Sequence, residues 1–163
     1  MRQLTAYLLT LRSYGTWLHG DARGSVDKEN NAYKEPLIEP RQGFEKTMRH
    51  SMKAEALRFN RAQRAQIEAA IEEVARYRDW PLGGLAVRTN HVHIVVGADD
   101  SPEKVVVDFK AYATRNLRRN GLPKTQTVWA EHGSTVYLFD AHAYETAVHY
   151  VLEQQGESLN DVD

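Results

Sequence analysis

The segment Arg88-Thr89-Asn90-His91-Val92-His93-Ile94-Val95-Val96 decides how this chain is read. Side chains on a β-strand alternate between faces, so His91 and His93 project to one side and Val92, Ile94 and Val96 to the other. The apolar side must be buried. Two imidazoles side by side, backed by a buried face, make half of a metal site. The plain alternative is a pair of core histidines that find hydrogen-bond partners inside the protein. A histidine-triad nucleotide hydrolase would need another histidine where Val95 stands. A two-histidine phosphoesterase would need two separated His-x-Thr/Ser motifs, which are absent. A zinc hydrolase would normally add a carboxylate ligand or base, and none lies within a strand or helical repeat of the pair.

Working outward, Leu85 to Val96 reads as one strand, the strongest in the chain. Leu4 to Leu11 reads as a first strand, and Val128-Trp129 and Thr135 to Phe139 as short ones. Asn60 followed by Gln63 has the form of a capping box. It opens a helix to about Tyr77 with Ile67, Ala70, Ile71 and Val74 on one face, stopped by Pro81-Leu82-Gly83-Gly84. Ser101-Pro102-Glu103 starts a helix to about Arg119, closed by Asn120-Gly121. Asp140 caps a last helix to about Gln154. A further helix is predicted over Phe44 to Lys53. Gly15 to Pro40 is rich in Gly, Asp, Asn and Pro and reads as a long loop excursion. Connections too short for parallel crossovers point to an α+β fold with a mainly antiparallel sheet. Residues 1–156 are expected to form a single domain, followed by an acidic tail at 157–163.

The chain has 163 residues, 42% hydrophobic and 26% charged, which suits one globular core. Without cysteine, disulfides and thiolate metal sites are excluded. The start, Met1 to Leu11, lacks the apolar block of a signal peptide or membrane span, so a cytoplasmic protein without membrane contact is expected. The net charge of −1 is unevenly spread. Residues 140–163 hold six acids and no Lys or Arg, leaving 21 basic against 16 acidic residues before them. Such a distribution permits nucleic-acid binding without requiring it, since solvated basic helix faces are common.

Two tyrosines qualify as a nucleophile. Tyr112 shares a stripe with Val105 and Phe109 and reads as core. Tyr150 sits on the flank of the last helix's apolar stripe of Tyr144, Ala147, Val148, Val151 and Leu152, with Gln154 one turn further on. An aromatic held off the core beside an amide oxygen suits a nucleophile with a neighbouring ligand; an exposed surface tyrosine is the alternative.

Asn90-His91-Val92-His93, followed 59 residues after His91 by Tyr150-Val151-Leu152-Glu153-Gln154, resembles the single-tyrosine HUH transposases. These are the small insertion-sequence transposases and the REP-associated tyrosine transposases. Val128-Trp129 resembles a segment common in that family, and the likeness runs from about Leu4 to Gly156. It implies a ferredoxin-like, HUH-nuclease type of sheet with the catalytic Tyr150 on the C-terminal helix. It also implies His91, His93 and Gln154 as metal ligands. Three neutral ligands suit a hard divalent ion, Mg²⁺ or Mn²⁺. The implied activity is cleavage and rejoining of single-stranded DNA, next to a hairpin, through a 5′-phosphotyrosine. Arg88, Lys110, Arg115 and Arg119 are candidates for DNA-backbone contacts, with Arg12 and the 15–40 loop as unranked additions. Dimeric and monomeric relatives are both known. A non-catalytic binder of single-stranded or hairpin DNA and a small metal-dependent phosphoesterase are the rival readings. The acids Glu145 and Glu153 near Tyr150 run against DNA binding unless they face away.

Overall fold

A computed structural model describes residues 2–15 and 56–154. The expected 15–40 excursion, the helix over 44–53, the acidic tail and the side chain of Gln154 lie outside the described residues. Among the described residues seven elements follow in order. Strand β1 is Thr5–Arg12, helix α1 Arg61–Arg78, β2 Leu82–Val87, β3 His91–Ala98, α2 Pro102–Arg119, β4 Ser134–Leu138 and α3 Ala141–Gln154. The sheet order is β2-β3-β1-β4, and every pairing is antiparallel. With α1 and α2 as the two crossovers this is the split β-α-β-β-α-β arrangement, and the expected α+β class is the one observed.

Local signals account for most element ends. Asn60 Oδ1 accepts from the Gln63 amide at 2.8 Å while the Gln63 side chain accepts from the Asn60 amide at 2.9 Å, closing the capping box. Ser101 caps α2 ahead of Pro102. Asp140 Oδ1 accepts from the Ala143 amide at 2.8 Å and starts α3.

Several expectations are corrected. Leu85 to Val96 is a hairpin rather than one strand: β2 ends at Val87, and Arg88 N–H donates to the His91 carbonyl at 2.8 Å across the turn. Three turn residues were hidden between two apolar runs. Nor does Pro81 to Gly84 merely stop α1. The helix ends at a left-handed Asp79 (φ 57°), and Leu82, Gly83 and Gly84 already belong to β2. Val128-Trp129 contributes an isolated bridge, Trp129 to Ser13, instead of a strand.

Each sheet face has its own core. Tyr7, Leu9, Leu11, Val92, Ile94 and Val96 pack with α1 and α2 around Ile67, Ile71, Val74, Val105 and Phe109. On the other face Leu8, Ala86, Val95 and Leu138 pack with Ala147 and Val151 of α3. Among the described residues the second core is the smaller, and the imidazole face of β3 belongs to its side of the sheet. Leu152, expected on α3's apolar stripe, is exposed.

The N-terminus is tied down beside the β3–α2 turn. Arg2 Nε and Nη2 donate to Asp99 at 2.9 Å each, and Trp80 Nε1 donates at 3.3 Å. The Arg2 hydrogen bonds lead in pulling the Asp99 carboxyl from 3.8 to about 2. A carboxyl lowered on folding stabilises the fold fully above 3.8 and loses that contribution as pH falls through about 2. The melting-temperature gap between wild type and Arg2→Ala should therefore be constant above pH 3.8 and close as pH drops to about 2. A gap that persists unchanged at the lower limit would refute the pairing.

Candidate active site

Register places the site. β3 pairs with β1 so that His91 lies opposite Arg12 and His93 opposite Thr10, and β2 sets Ala86 beside His93. Direct partners in an antiparallel ladder share a face. Arg12, Thr10, His91 and His93 therefore rise together on the α3 side, one residue out of phase with the large core. The imidazole rings lie 4.7 Å apart between centroids.

Hydrogen bonds orient both rings through Nδ1. His91 Nδ1 lies 2.8 Å from Asn90 Oδ1. An amide oxygen only accepts, so Nδ1 carries a proton, and in the neutral ring Nε2 holds the lone pair. Thr10 Oγ1 lies 3.0 Å from His93 Nδ1, and a hydroxyl that accepts gives His93 the same tautomer. This is how a metal-binding histidine is usually held, with its outer nitrogen donating to a neighbouring oxygen. Burial, and then the charges of Arg12 and Arg88, push the His93 imidazole below its ordinary 6.5, so it is neutral at neutral pH. Among the described residues no three His, Cys, Asp or Glu side chains cluster, so two imidazoles are what this face offers an ion. Two neutral, oriented nitrogens fit a divalent cation that takes the rest of its shell from other oxygens.

Helix α3 carries Tyr150 to this place. Its ring lies 5.5 Å from that of His93 in an edge-on contact, and the residue is 45% exposed. The approach depends on Gly83 and Gly84. A Cβ on Gly83 would overlap the Tyr144 hydroxyl, and one on Gly84 would sit 3.4 Å from Val151 Cγ1. Gly84→Val adds methyls against Val151 at the point where α3 meets the sheet. Overpacking of this kind costs about 1–3 kcal/mol, and the displaced helix carries Tyr150 away from His93. Thermal unfolding should show the loss, while a Gly84→Val protein with wild-type stability would show that the contact has slack.

Of the other candidates, Arg88 lies at the β2–β3 turn and is only 7% exposed, its charge felt by His93. Lys110, Arg115 and Arg119 stand on α2, which packs on the opposite face of the sheet. Lys110 Nζ donates to the Ala130 carbonyl at 3.1 Å, and Arg115 lies over the Tyr112 ring at 4.9 Å. With Ala111, Thr114 and Arg118, Lys110 and Arg115 line an open groove of about 500 Å³. Tyr112 packs against the large core, remote in the layering from the histidines. Thr10 was not singled out from sequence, and Arg12 only as an unranked DNA contact; the β1–β3 register sets both opposite the histidines.

A split β-α-β-β-α-β sheet with an Asn-His-Val-His strand and a tyrosine presented by the last helix defines the class as HUH-type. Residues 49–154 match the model of the IS200-like transposases, and the chain belongs to that family. No curated protein matches the chain. A solved REP-associated tyrosine transposase bound to a REP hairpin shares the fold at a TM-score of 0.53 and 14% identity, the match covering 92% of this chain and 66% of that one. A candidate transposase from Deinococcus radiodurans R1 aligns at a TM-score of 0.48 and 13% identity, over 96% of this chain and 94% of that one. No helix among the described residues is long and apolar enough to cross a membrane.

Proposed function

We propose that this chain cuts and rejoins single-stranded DNA through a covalent link to Tyr150. The supporting observation is the Tyr150 ring 5.5 Å from His93, over the face that also carries His91, within a single chain. The Tyr150 hydroxyl attacks the scissile phosphorus. A bond forms from the phenolic oxygen to phosphorus, the bond to the 3′ oxygen breaks, and the phenol's proton ends on the released 3′-hydroxyl. The strand stays attached as a 5′-phosphotyrosine. Reversal with another 3′-hydroxyl rejoins DNA without ATP, because the phosphodiester energy is kept in the tyrosyl bond.

His91 and His93 would hold a divalent cation, Mg²⁺ or Mn²⁺, through their Nε2 atoms, with Gln154 as the third protein ligand. When bound, the ion polarises the phosphate and offsets the charge that builds up during attack. Asn90 and Thr10 keep the imidazoles turned outward. Positive charge beside Tyr150 would favour loss of its proton as the bond to phosphorus forms. Arg88, Lys110, Arg115 and Arg119 are proposed as contacts to DNA phosphates, Lys110 and Arg115 as basic residues lining the α2 groove. The solved relative's REP hairpin makes a structured end beside the cut the first substrate to try.

Incubation with labelled single-stranded DNA carrying a hairpin, in Mn²⁺, followed by a denaturing gel, tests the reading. Label that moves with the denatured protein is the expected result. Binding without any such label would favour a non-catalytic DNA-binding role. Released product without protein-linked label would favour a phosphoesterase.

A further inference from the structure

We infer that the β1–β4 part of the imidazole face seats the base next to the cut phosphate, with Ser134 as the residue that reads it, a role that rests on the cleavage reading above. Thr10 is paired with His93 on one side and with Ser134 on the other. Direct partners share a face, so His93, Thr10 and Ser134 form one row across the sheet. Val95, Leu8 and Val136 form the next row on that face. Helix α3 covers Ala86, Val95 and Leu138 through Ala147 and Val151. Ser134 and Val136 stay outside that core, and both are exposed. An open strip of sheet therefore starts beside the histidines and runs to β4. On the other side of the histidines Ala86 is buried under α3 and leaves no such seat.

The chemistry of the strip selects its occupant. Leu8, Thr10, Ser134 and Val136 carry no charge, so a phosphate finds no cation on them. A base finds apolar contact from Val136 and a hydroxyl from Ser134, which can donate to or accept from a base edge. Among the described residues no hydrogen bond engages that hydroxyl. The Thr10 hydroxyl, in contrast, is buried and occupied by His93 Nδ1 at 3.0 Å. Strands lie about 4.8 Å apart, so Ser134 is about 10 Å from His93, a span that one nucleotide bridges from its phosphate to its base. The chain is also shaped to bring Ser134 to this place. Trp129 pairs with Ser13, the Ala130 amide donates to the Arg12 carbonyl at 2.9 Å, and Ser134 already pairs with Thr10. Glu131, His132 and Gly133 thus bulge opposite Leu11 alone. A Cβ on Gly133 would collide with the Thr10 carbonyl, so the bare backbone lets the chain rejoin β1 at the level of His93.

A pool of single strands, each with a hairpin flanked by random tracts of about 12 nucleotides, is incubated with protein in Mn²⁺. The DNA left on the denatured protein and the DNA released from it are both sequenced, which gives the base on each side of the cut. Wild type should favour one base at one of the two positions by at least about fivefold. Ser134→Ala should reduce that bias about fivefold, the worth of one hydrogen bond. Ser134→Thr keeps the hydroxyl and should keep the bias. Thr135→Ala is the control: Thr135 is paired with Leu9 of the large core and lies on the other face, so its bias should be that of wild type. Ser134 is exposed, and its variants should melt with wild type. A bias in Ser134→Ala equal to wild type's, an equal loss in Thr135→Ala, or no bias in wild type at either position would remove the base seat and leave the cleavage reading standing. Wild type that forms no protein-linked DNA would remove both.

Discussion

A Tyr150→Phe protein is expected to fold as wild type, to melt at the wild-type temperature and to leave no DNA attached after denaturation. Phenylalanine keeps the ring that meets His93 edge-on and removes only the hydroxyl. No hydrogen bond among the described residues ties that hydroxyl, and the residue is 45% exposed, so its loss leaves no buried polar partner behind. The chemical effect is of another order. Removing a nucleophile eliminates the covalent step, and adduct should fall about 10⁴-fold or more, to the limit of detection. Tyr112→Phe is the control. Tyr112 packs against the core on the far side of the sheet with Arg115 over its ring, so its variant should form adduct at the wild-type rate. Adduct in Tyr150→Phe and none in Tyr112→Phe would exchange the two roles and dismantle the site as drawn.

His91→Ala should abolish Mn²⁺-dependent cleavage while sparing the fold. His91 opens β3 and is half-buried, outside both hydrophobic cores, so truncation creates no cavity in either. What disappears is one of two oriented nitrogens. Loss of an outer hydrogen-bond partner typically lowers metal affinity 10–100-fold, and loss of the ligand itself should exceed about 100-fold. Calorimetric titration with Mn²⁺ measures this directly, and excess chelator should silence wild type in the same way. Cleavage that survives chelation would show that the imidazoles serve the fold alone.

Much of this was legible in the chain because the signals are local. The Asn60–Gln63 capping box, Ser101-Pro102 and Asp140 each act within one helical turn, and each begins a helix where expected. The alternation of His91-Val92-His93 assigned faces without knowledge of any neighbour. Where two apolar runs met, local patterning failed. Leu85 to Val96 concealed a turn, because Arg88 and Thr89 carry no Gly or Pro to mark it. Gly83-Gly84 carried the opposite trap. Glycine pairs usually punctuate, but here they lie within a strand where a helix packs closely.

The sequence alone determined which residues could do chemistry: two histidines in phase, a tyrosine held off a helix's apolar stripe, and the helix starts around them. Periodicity and caps suffice for that, since both depend on residues within a few positions of each other. Only the tertiary structure decided which of them meet. Pairing of β1 with β3 set Thr10 and Arg12 beside imidazoles some eighty positions away in the chain, and the bare backbone at Gly83 and Gly84 let α3 lower Tyr150 onto His93. Register and close approach are properties of two distant segments at once, and neither segment records them by itself.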